Sequence, residues 1–455
     1  LEPDGLHRRI ALDGEGRPLR IEDQHRVVEL GYVGMGRLAL RREADVETRY
    51  HYDTEQQLVG LTNALGARYS FERDLRGDVI AETGWAGDRR ELERDPAGQI
   101  AKLTRPSGSS ATYKWNRTGK LEQVTYDDGT TERYAYRADG LLTHARNDTS
   151  TIKLERDPIG RVIREWQDEH WIESTWDRGG ERVRLRSSFG TQLEIERDAM
   201  GRWSSLGLGD QAGSRWRAQT KRDLLGAEID RALPGGVRDR WSRDPIGRPR
   251  QHQVWDGHAV VRDLRYTWNV DARLDRLLDA LAGQTTDYEH DPLGRLAWAK
   301  RGDSAELRLP DAIGNLYRSG ERIDRHYGAD GRLLLAEEPE GTLRYEYDAD
   351  GQRVRMIEAD GRVWKYRWNR AGRMISVERP DGKLVEYGYD ALGRRVWKRF
   401  QDVTTRWVWD GDTIFHEWVE AEAIETERVA VFGQEPLVTG IRPVKQARGP
   451  PQQDL

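Results

Sequence analysis

Four copies of Asp-Pro-x-Gly, beginning at Asp95, Asp157, Asp244 and Asp291, and ten scattered histidines are the residues of this chain whose types could do chemistry. Aspartates that meet in space act as general acid and base or hold a metal, and histidines ligate metals or carry protons. The spacing argues against both. His7, His25, His51, His144, His170, His252, His258, His290, His326 and His416 form no H-E-x-x-H or other tight ligand set. His290 beside Asp291 falls at a turn. No G-x-S-x-G elbow, phosphate-binding loop or dinucleotide fingerprint lies between a strand and a helix. A calcium-binding β-roll would need repeated G-G-x-G-x-D, which is absent. The acidic pair Glu337-Glu338 precedes Pro339 and reads as a solvated loop. The chain has no cysteine, which excludes a disulfide framework and a Cys-based zinc site. The expectation is a chain that is not an enzyme, with no catalytic, cofactor-binding or metal-binding residue and no cofactor.

What the aspartates do follows from their recurrence. Anchors of the D-x-x-G kind run from Asp13 through Asp53, Asp74, Asp95 and onward to Asp348, Asp390 and Asp410, about twenty in all, with a period of ~21 residues. The intervals after Asp198 and Asp244 are longer, and the one after Asp311 is shorter. Asp at i, Pro at i+1 and Gly at i+3 is the composition of a type I turn, and such a turn followed by a left-handed glycine makes a hairpin with a bulge. Two aromatics two residues apart often precede the anchor, as in Tyr134/Tyr136 and Tyr366/Trp368, and an Arg and an aliphatic residue often follow it. A second turn closes each repeat, as at Asp128-Gly129 or Asp381-Gly382. Arginines such as Arg394-Arg395 recur with the repeat and are expected on an outer face or in cross-strand pairs, with contact to a cargo as the lesser reading.

Two turns in ~21 residues leave two strands of about six residues, so the chain predicts about 40 antiparallel strands and a ribbon about 190 Å wide. Open twisted sheets rarely exceed ~10 strands without curling, so the ribbon must coil, and a wall about 60 Å across could not be filled by side chains. The predicted fold is all-β, an antiparallel hairpin ribbon coiled into a spiral hollow shell. A β-propeller and a parallel β-helix are the competing repeat folds. The composition agrees with a thin wall. Of 455 residues, 36% are apolar and 34% charged, with net charge −5, 17 Trp, 17 Tyr and mean hydropathy −0.87. A sheet wet on both faces is lean in apolar residues, whereas disordered chains are poor in aromatics. No apolar run is long enough to span a membrane, no signal peptide is visible, and the charge balance does not suggest a nucleic-acid footprint, so no nucleic-acid partner is expected.

The stretches "YEYDADGQRV" (345–354) and "YRWNRAGRMISVERPDGKLVEYGYDALGRRVWKRF" (366–400), with the many "RDPxGR" turns, resemble the YD repeats of Rhs (rearrangement hotspot) proteins and of insecticidal toxin-complex B and C components. "TTRWVWDGDTIFHEWVE" (404–420) is similar to the end of an Rhs repeat region. The resemblance implies a YD-repeat shell over residues 1–435, with 436–455 a polar, Pro-rich tail that is extended or disordered. It implies encapsulation of a C-terminal toxin for competition between bacteria, and export from the cytoplasm without a signal peptide, through a type VI apparatus. The implied partners are the toxin domain, a cognate immunity protein, a secretion spike and a chaperone. Self-cleaving relatives place two D-P-x-G motifs close together beyond the repeats. Here the copies lie far apart within repeats, so protease aspartates are not carried over. With no spike-tip domain before residue 1 and no toxin after the tail, the expectation is a wall without plug or cargo. A cell-surface adhesion or carbohydrate-binding array is the alternative function, and a hidden hydrolase or self-processing protease is a third.

Overall fold

The computed structural model describes residues 8–23, 26–210, 213–420, 426–429 and 442–443. The chain divides into two compact units. The first comprises Leu1–Glu91, Ile195–Leu208 and Gly213–Arg344; the second comprises Leu92–Glu194, Gly209–Ala212 and Tyr345–Leu455. Both are built from short antiparallel strands, with no α-helix among the described residues and a single 3₁₀ turn at Pro234–Gly236. No helix is long and apolar enough to cross a membrane. Of the predicted tail 436–455, only Arg442–Pro443 is among the described residues, where it forms a short strand.

Within each unit a strand pairs with its neighbour in sequence. In the first unit Arg9–Leu12, Pro18–Glu22, Val27–Val33, Arg37–Glu43 and Val46–Tyr52 form one such ladder. In the second, Thr131–Tyr136, Leu142–Arg146, Thr151–Arg156, Val162–Gln167, His170–Trp176 and Arg182–Ser187 form another. Most connections are the bulged type I hairpin read from the sequence. At Asp157 the Gly160 N–H donates to the Asp157 carbonyl (3.1 Å), and the Asp157 N–H donates to the Arg161 carbonyl (2.9 Å). The Asp157 Oδ1 accepts the N–H groups of Ile159 and Arg161 (3.1 and 2.9 Å). The strand register slips by one between Glu155 and Arg156, which is the bulge. The fourth residue of such turns needs a left-handed backbone; Gly247 has φ +90°. The second turns are built the same way, as at Gly129 and Gly382. The tip at Asp410 differs, being a two-residue reversal in which Asp410 pairs directly with Thr413.

The recurrent Arg after the glycine has a defined task. Its Nε returns to the anchor carboxylate at Arg161–Asp157 (2.6 Å), Arg248–Asp244 (2.7 Å) and Arg295–Asp291 (2.7 Å). Its Nη1 reaches the next anchor's carbonyl, as from Arg295 to Asp311 (2.9 Å). Burial pushes the Asp157 carboxyl up, but the side-chain and backbone hydrogen bonds from Arg161 outweigh it and hold the group below the usual carboxylate range. The residue before the anchor locks each repeat to the one before. Tyr136 Oη donates to the Leu121 carbonyl (2.8 Å), Trp115 Nε1 to Ile100 (2.8 Å), Trp368 Nε1 to Arg353 (2.9 Å) and Tyr389 Oη to Met374 (2.8 Å). Arg156 does the same through Nε to Leu142 (3.0 Å), which explains why Arg and an aromatic alternate at this position.

Charges are paired across strands. Arg20, Glu29, Arg42 and Glu47 stand directly opposite one another on four consecutive strands and form successive ion pairs. Arg164, Glu173 and Arg186 repeat the pattern. A third of the residues are charged yet the net charge is small because the signs alternate along the sheet; each exposed pair is worth only about 0–1 kcal/mol, so the pairs set register more than stability. Glu337-Glu338 lies in a strand rather than a loop, with Glu337 exposed and accepting the Thr342 hydroxyl (2.9 and 2.7 Å) and Glu338 in an ion-pair network. The reversal at Pro339-Glu340 is so tight that both acids stay in the strand Leu333–Glu338. Glu338 pairs with Arg325 (2.7 Å) and Arg318 (3.4 Å). The second unit buries Ile152, Ile172, Leu185, Leu193 and Val408 fully.

Candidate functional site

The feature of the second unit that the repeat alone does not explain is a seam, where strands 105–190 meet strands 345–420. It is made by turns. The Ser107 N–H and Oγ donate to the Asp350 carboxylate (2.9 and 2.8 Å). Arg370 pairs with Asp127 (3.1 Å). Asn147 Nδ2 donates to the Tyr389 carbonyl (2.9 Å). Gln167 both donates to the Trp409 carbonyl (2.6 Å) and accepts the Trp409 N–H (3.0 Å), so its side-chain amide acts as one more rung of a sheet. These partners are separated by 243, 242 and 242 residues at Ser107, Asn147 and Gln167. A constant separation means that the two runs of strands lie in phase, each second turn of the earlier run seated on an anchor turn of the later one.

Below the turns the seam holds a small apolar cluster. The Ala391 tip packs against Ala145, Ile152 and Leu154, with Tyr134, Leu142 and Val162 around them. Arg394 bridges the runs: Nη1 to Glu165 (2.6 Å) and Nε to its own anchor Asp390 (2.7 Å), with the Gly411 N–H also on Glu165 (3.1 Å). Arg394 and Glu165 are nearly inaccessible and Asp390 is fully buried. Burial pushes the Glu165 carboxyl above the usual range against the opposing pull of Arg394. A parallel bridge joins Arg373 to Glu132 (2.7 Å), and Glu132 also accepts the hydroxyls of Tyr126 and Tyr134 (3.2 and 3.0 Å). Burial first, and then the Glu132 charge, push both phenols well above their ordinary value. Arg182 closes on Asp410 further along. At the far end of the seam the rings of His170, Phe189, His416 and Trp418 meet.

These contacts correct one expectation. Arg395 lies over the rings of Tyr387 and Trp407 (5.4 and 4.8 Å), as an exposed cross-strand residue does. Arg394 is instead the inner bridge of the seam, because its register turns it toward Glu165 where a second run of strands covers it. The four Asp-Pro-x-Gly aspartates all sit in hairpin tips, each accepting backbone N–H groups. His290 ends the strand Gln284–His290, and burial together with Arg273 lowers its pKa. Sequence reasoning did not find Glu132, Asn147, Glu165 or Gln167. The signal for Asn147 and Gln167 is their 242-residue separation from their partners, which no local pattern carries, and Glu165, 229 residues from Arg394, falls outside even that phase.

Two concave places in the second unit are lined by groups that are engaged with one another. A cavity of about 240 Å³ at the seam is lined by Arg105, Ser107, Asp350, Tyr366, Trp368 and Arg370 among others. An open groove of about 440 Å³ is lined by Glu155, Asp157, Arg161, Arg164, Glu173 and Trp176. Its acids are tied up in ion pairs, and the Trp176 ring is flanked by the guanidinium groups of Arg161 and Arg182 (5.4 and 5.2 Å). No group of three or more potential metal ligands occurs among the described residues. The arrangement holds strands together.

Residues 260–408 match the family model of the teneurin YD-shell, and residues 94–131 match that of the RHS repeat. No curated protein matches the sequence significantly. Among solved structures, the TcdB2–TccC3–Cdc42 crystal structure superposes with a TM-score of 0.71 at 14% identity, over 95% of this chain and 28% of that one. TcdB2–TccC3–TEV gives 0.66 at 12% identity, over 97% and 29%. The Tc holotoxin pore of Photorhabdus luminescens, with a mutated TccC3, gives 0.59 at 13% identity, over 92% and 26%. The chain thus spans less than a third of these solved chains, and the likeness is one of fold. The all-β YD-shell fold class expected from the repeat is the one found.

Proposed function

We propose that this chain, which carries the YD repeats of the Rhs family and has the YD-shell fold, is the non-catalytic wall of a container for a toxin. The observation that supports this is the in-phase seam. A ribbon that meets itself at a fixed separation of 242–243 residues, with turns seated on turns, is built to close a surface. The solved relatives named for TcdB2 and TccC3 are toxin-complex components, and their fold over nearly the whole of this chain adds to the reading. We assign the toxin to the C-terminal side of the same polypeptide or to a fragment processed from it. Its neutralisation falls to a cognate immunity protein, with a secretion spike and a chaperone as delivery partners. Export runs from the bacterial cytoplasm without a signal peptide, by a type VI route, in competition between bacteria. Electron-microscopic imaging of the purified protein tests the wall; a solid rod without a lumen sinks it.

The adhesion reading draws less support, because the rings it needs are engaged. The indole N–H groups of Trp115 and Trp368 are tied to carbonyls inside the ribbon, which gives both residues a structural task. Glycan binding lost on Trp115→Ala or Trp368→Ala would restore it.

A further inference from the structure

The cluster at the end of the seam joins the two runs of strands through ring contacts. His170 and Phe189 come from the earlier run and stack with centroids 4.6 Å apart and planes at 21°. His416 and Trp418 come from the strand Thr413–Glu420 of the later run. Trp418 meets His170 edge-on at 5.1 Å and Phe189 at 5.0 Å, and His416 lies 4.8 Å from Phe189. His416 is fully buried, and Phe415 stands against it at 4.8 Å. Two imidazoles in an aromatic joint are an odd choice for packing alone, since apolar rings fill such space without a titratable group.

We propose that this cluster is an acid-sensitive latch on the seam: neutral rings hold the two runs together, and protonation of His170 beside His416 parts them locally. The charged groups around His170 do not rescue the cation. Asp168 and Glu169 on its own hairpin pull toward protonation, with Glu169 at 3.6 Å, but both lie on the exposed side of the turn. Arg406 and His416 face it from the later run and oppose protonation. The adjacent turn offers Ser188, whose Oγ is 3.5 Å from Nδ1, and Phe189, both uncharged. Glu417 and Glu420 are engaged by Trp407 Nε1 (2.9 Å) and Arg406 (2.8 Å). Burial is the largest influence, and against the pull of Glu169 it holds His170 below the usual value of 6.5. A depressed imidazole binds its proton less tightly in the closed seam than in the open one. The closing contribution is therefore complete above the ordinary imidazole value and is lost as pH falls through the lowered one. Glu165 works in the opposite sense: its raised carboxyl favours closure in acid, so loosening at low pH cannot come from it.

The purpose of such a latch, opening a wall in an acidic compartment, rests on the container reading; the seam's response does not. Hydrogen exchange on the full chain, with labelling times corrected for intrinsic rate, compares about pH 7.5 with about pH 5. Residues 168–190 and 404–420 should lose protection by about tenfold or more in acid, while residues 105–130 keep theirs. His170→Phe and His170→Gln should each abolish the response, and the Gln variant serves if the Phe variant does not fold. Equal protection of the wild type at both pH values overturns the latch, as does a full response in both variants. Imaging the same sample at neutral pH reports on the wall separately.

Discussion

The two units are written in one repeat but are buried differently. The second unit holds Ile152, Ile172, Leu185 and Leu193 out of water altogether, and its anchor tips at 348–351, 369–372 and 390–393 are seated on the turns of an earlier run. In the first unit fewer apolar side chains are buried: the most enclosed are Ala81, Ala218 and Ala336, and the larger Val28, Ile195, Leu206 and Leu208 each keep some of their surface open. Its turn tips carry large apolar residues in full view of solvent: Leu75, Leu224 and Leu225 are 109%, 105% and 77% exposed. At the position after the anchor, the covered tip at Asp390 carries Ala391, whereas the tips at Asp74 and Asp223 carry Leu75 and Leu224. The repeat by itself makes a ladder of hydrogen bonds and ion pairs. A dry interior arises where one run of strands lies on another.

That contrast can be broken most sharply at the seam. Arg394→Ala strands Glu165 and Asp390 as buried, unpaired carboxylates and should cost about 3–5 kcal/mol in denaturant unfolding of the full chain. Glu165→Gln keeps a hydrogen-bonding side chain opposite Arg394 and should cost less; a negligible loss in both variants would mean that the bridge is not what holds the seam. Leu185→Ala leaves a cavity in the dry region and should cost about 2–5 kcal/mol. Leu61→Ala, half-buried in the first unit, should cost clearly less. If the two melt alike, the units are equally well packed and the comparison fails.

Smaller effects sharpen the role of the turns. Gly247→Ala meets no neighbouring atom, so only its left-handed backbone opposes the change, and about 1–2 kcal/mol should be lost. Leu224→Ser should leave stability unchanged to within about 0.5 kcal/mol and reduce self-association in sedimentation. A marked loss of stability would show that this tip is packed after all.

The hairpins were legible because their information is local. Asp157, Pro158, Gly160 and Arg161 satisfy each other's hydrogen bonds within five residues, and each chemical choice names one conformation. The paired aromatics were legible as strand residues, but the reach of Tyr136 to the Leu121 carbonyl was not, because a backbone acceptor leaves no mark in the sequence. The seam was illegible for a similar reason. Arg394 and Arg395 look alike beside a turn glycine, and only the arrival of Glu165 from another run separates a buried bridge from a surface charge. Glu338 was misjudged through its Pro neighbour, which here begins a two-residue reversal instead of a loop.

The fixed distance between seam partners has a genetic consequence. Hairpin repeats are prone to gain and loss of whole copies, and within the ladder each copy grips its immediate neighbours, so the ladder itself would accept an extra one. The seam would not. One additional copy anywhere between Gln167 and Trp409 would carry every later anchor about 21 residues out of step with its partner. The joint thus counts the hairpins between its two sides, and lineages that duplicate or delete one there must restore the tally or abandon the fit.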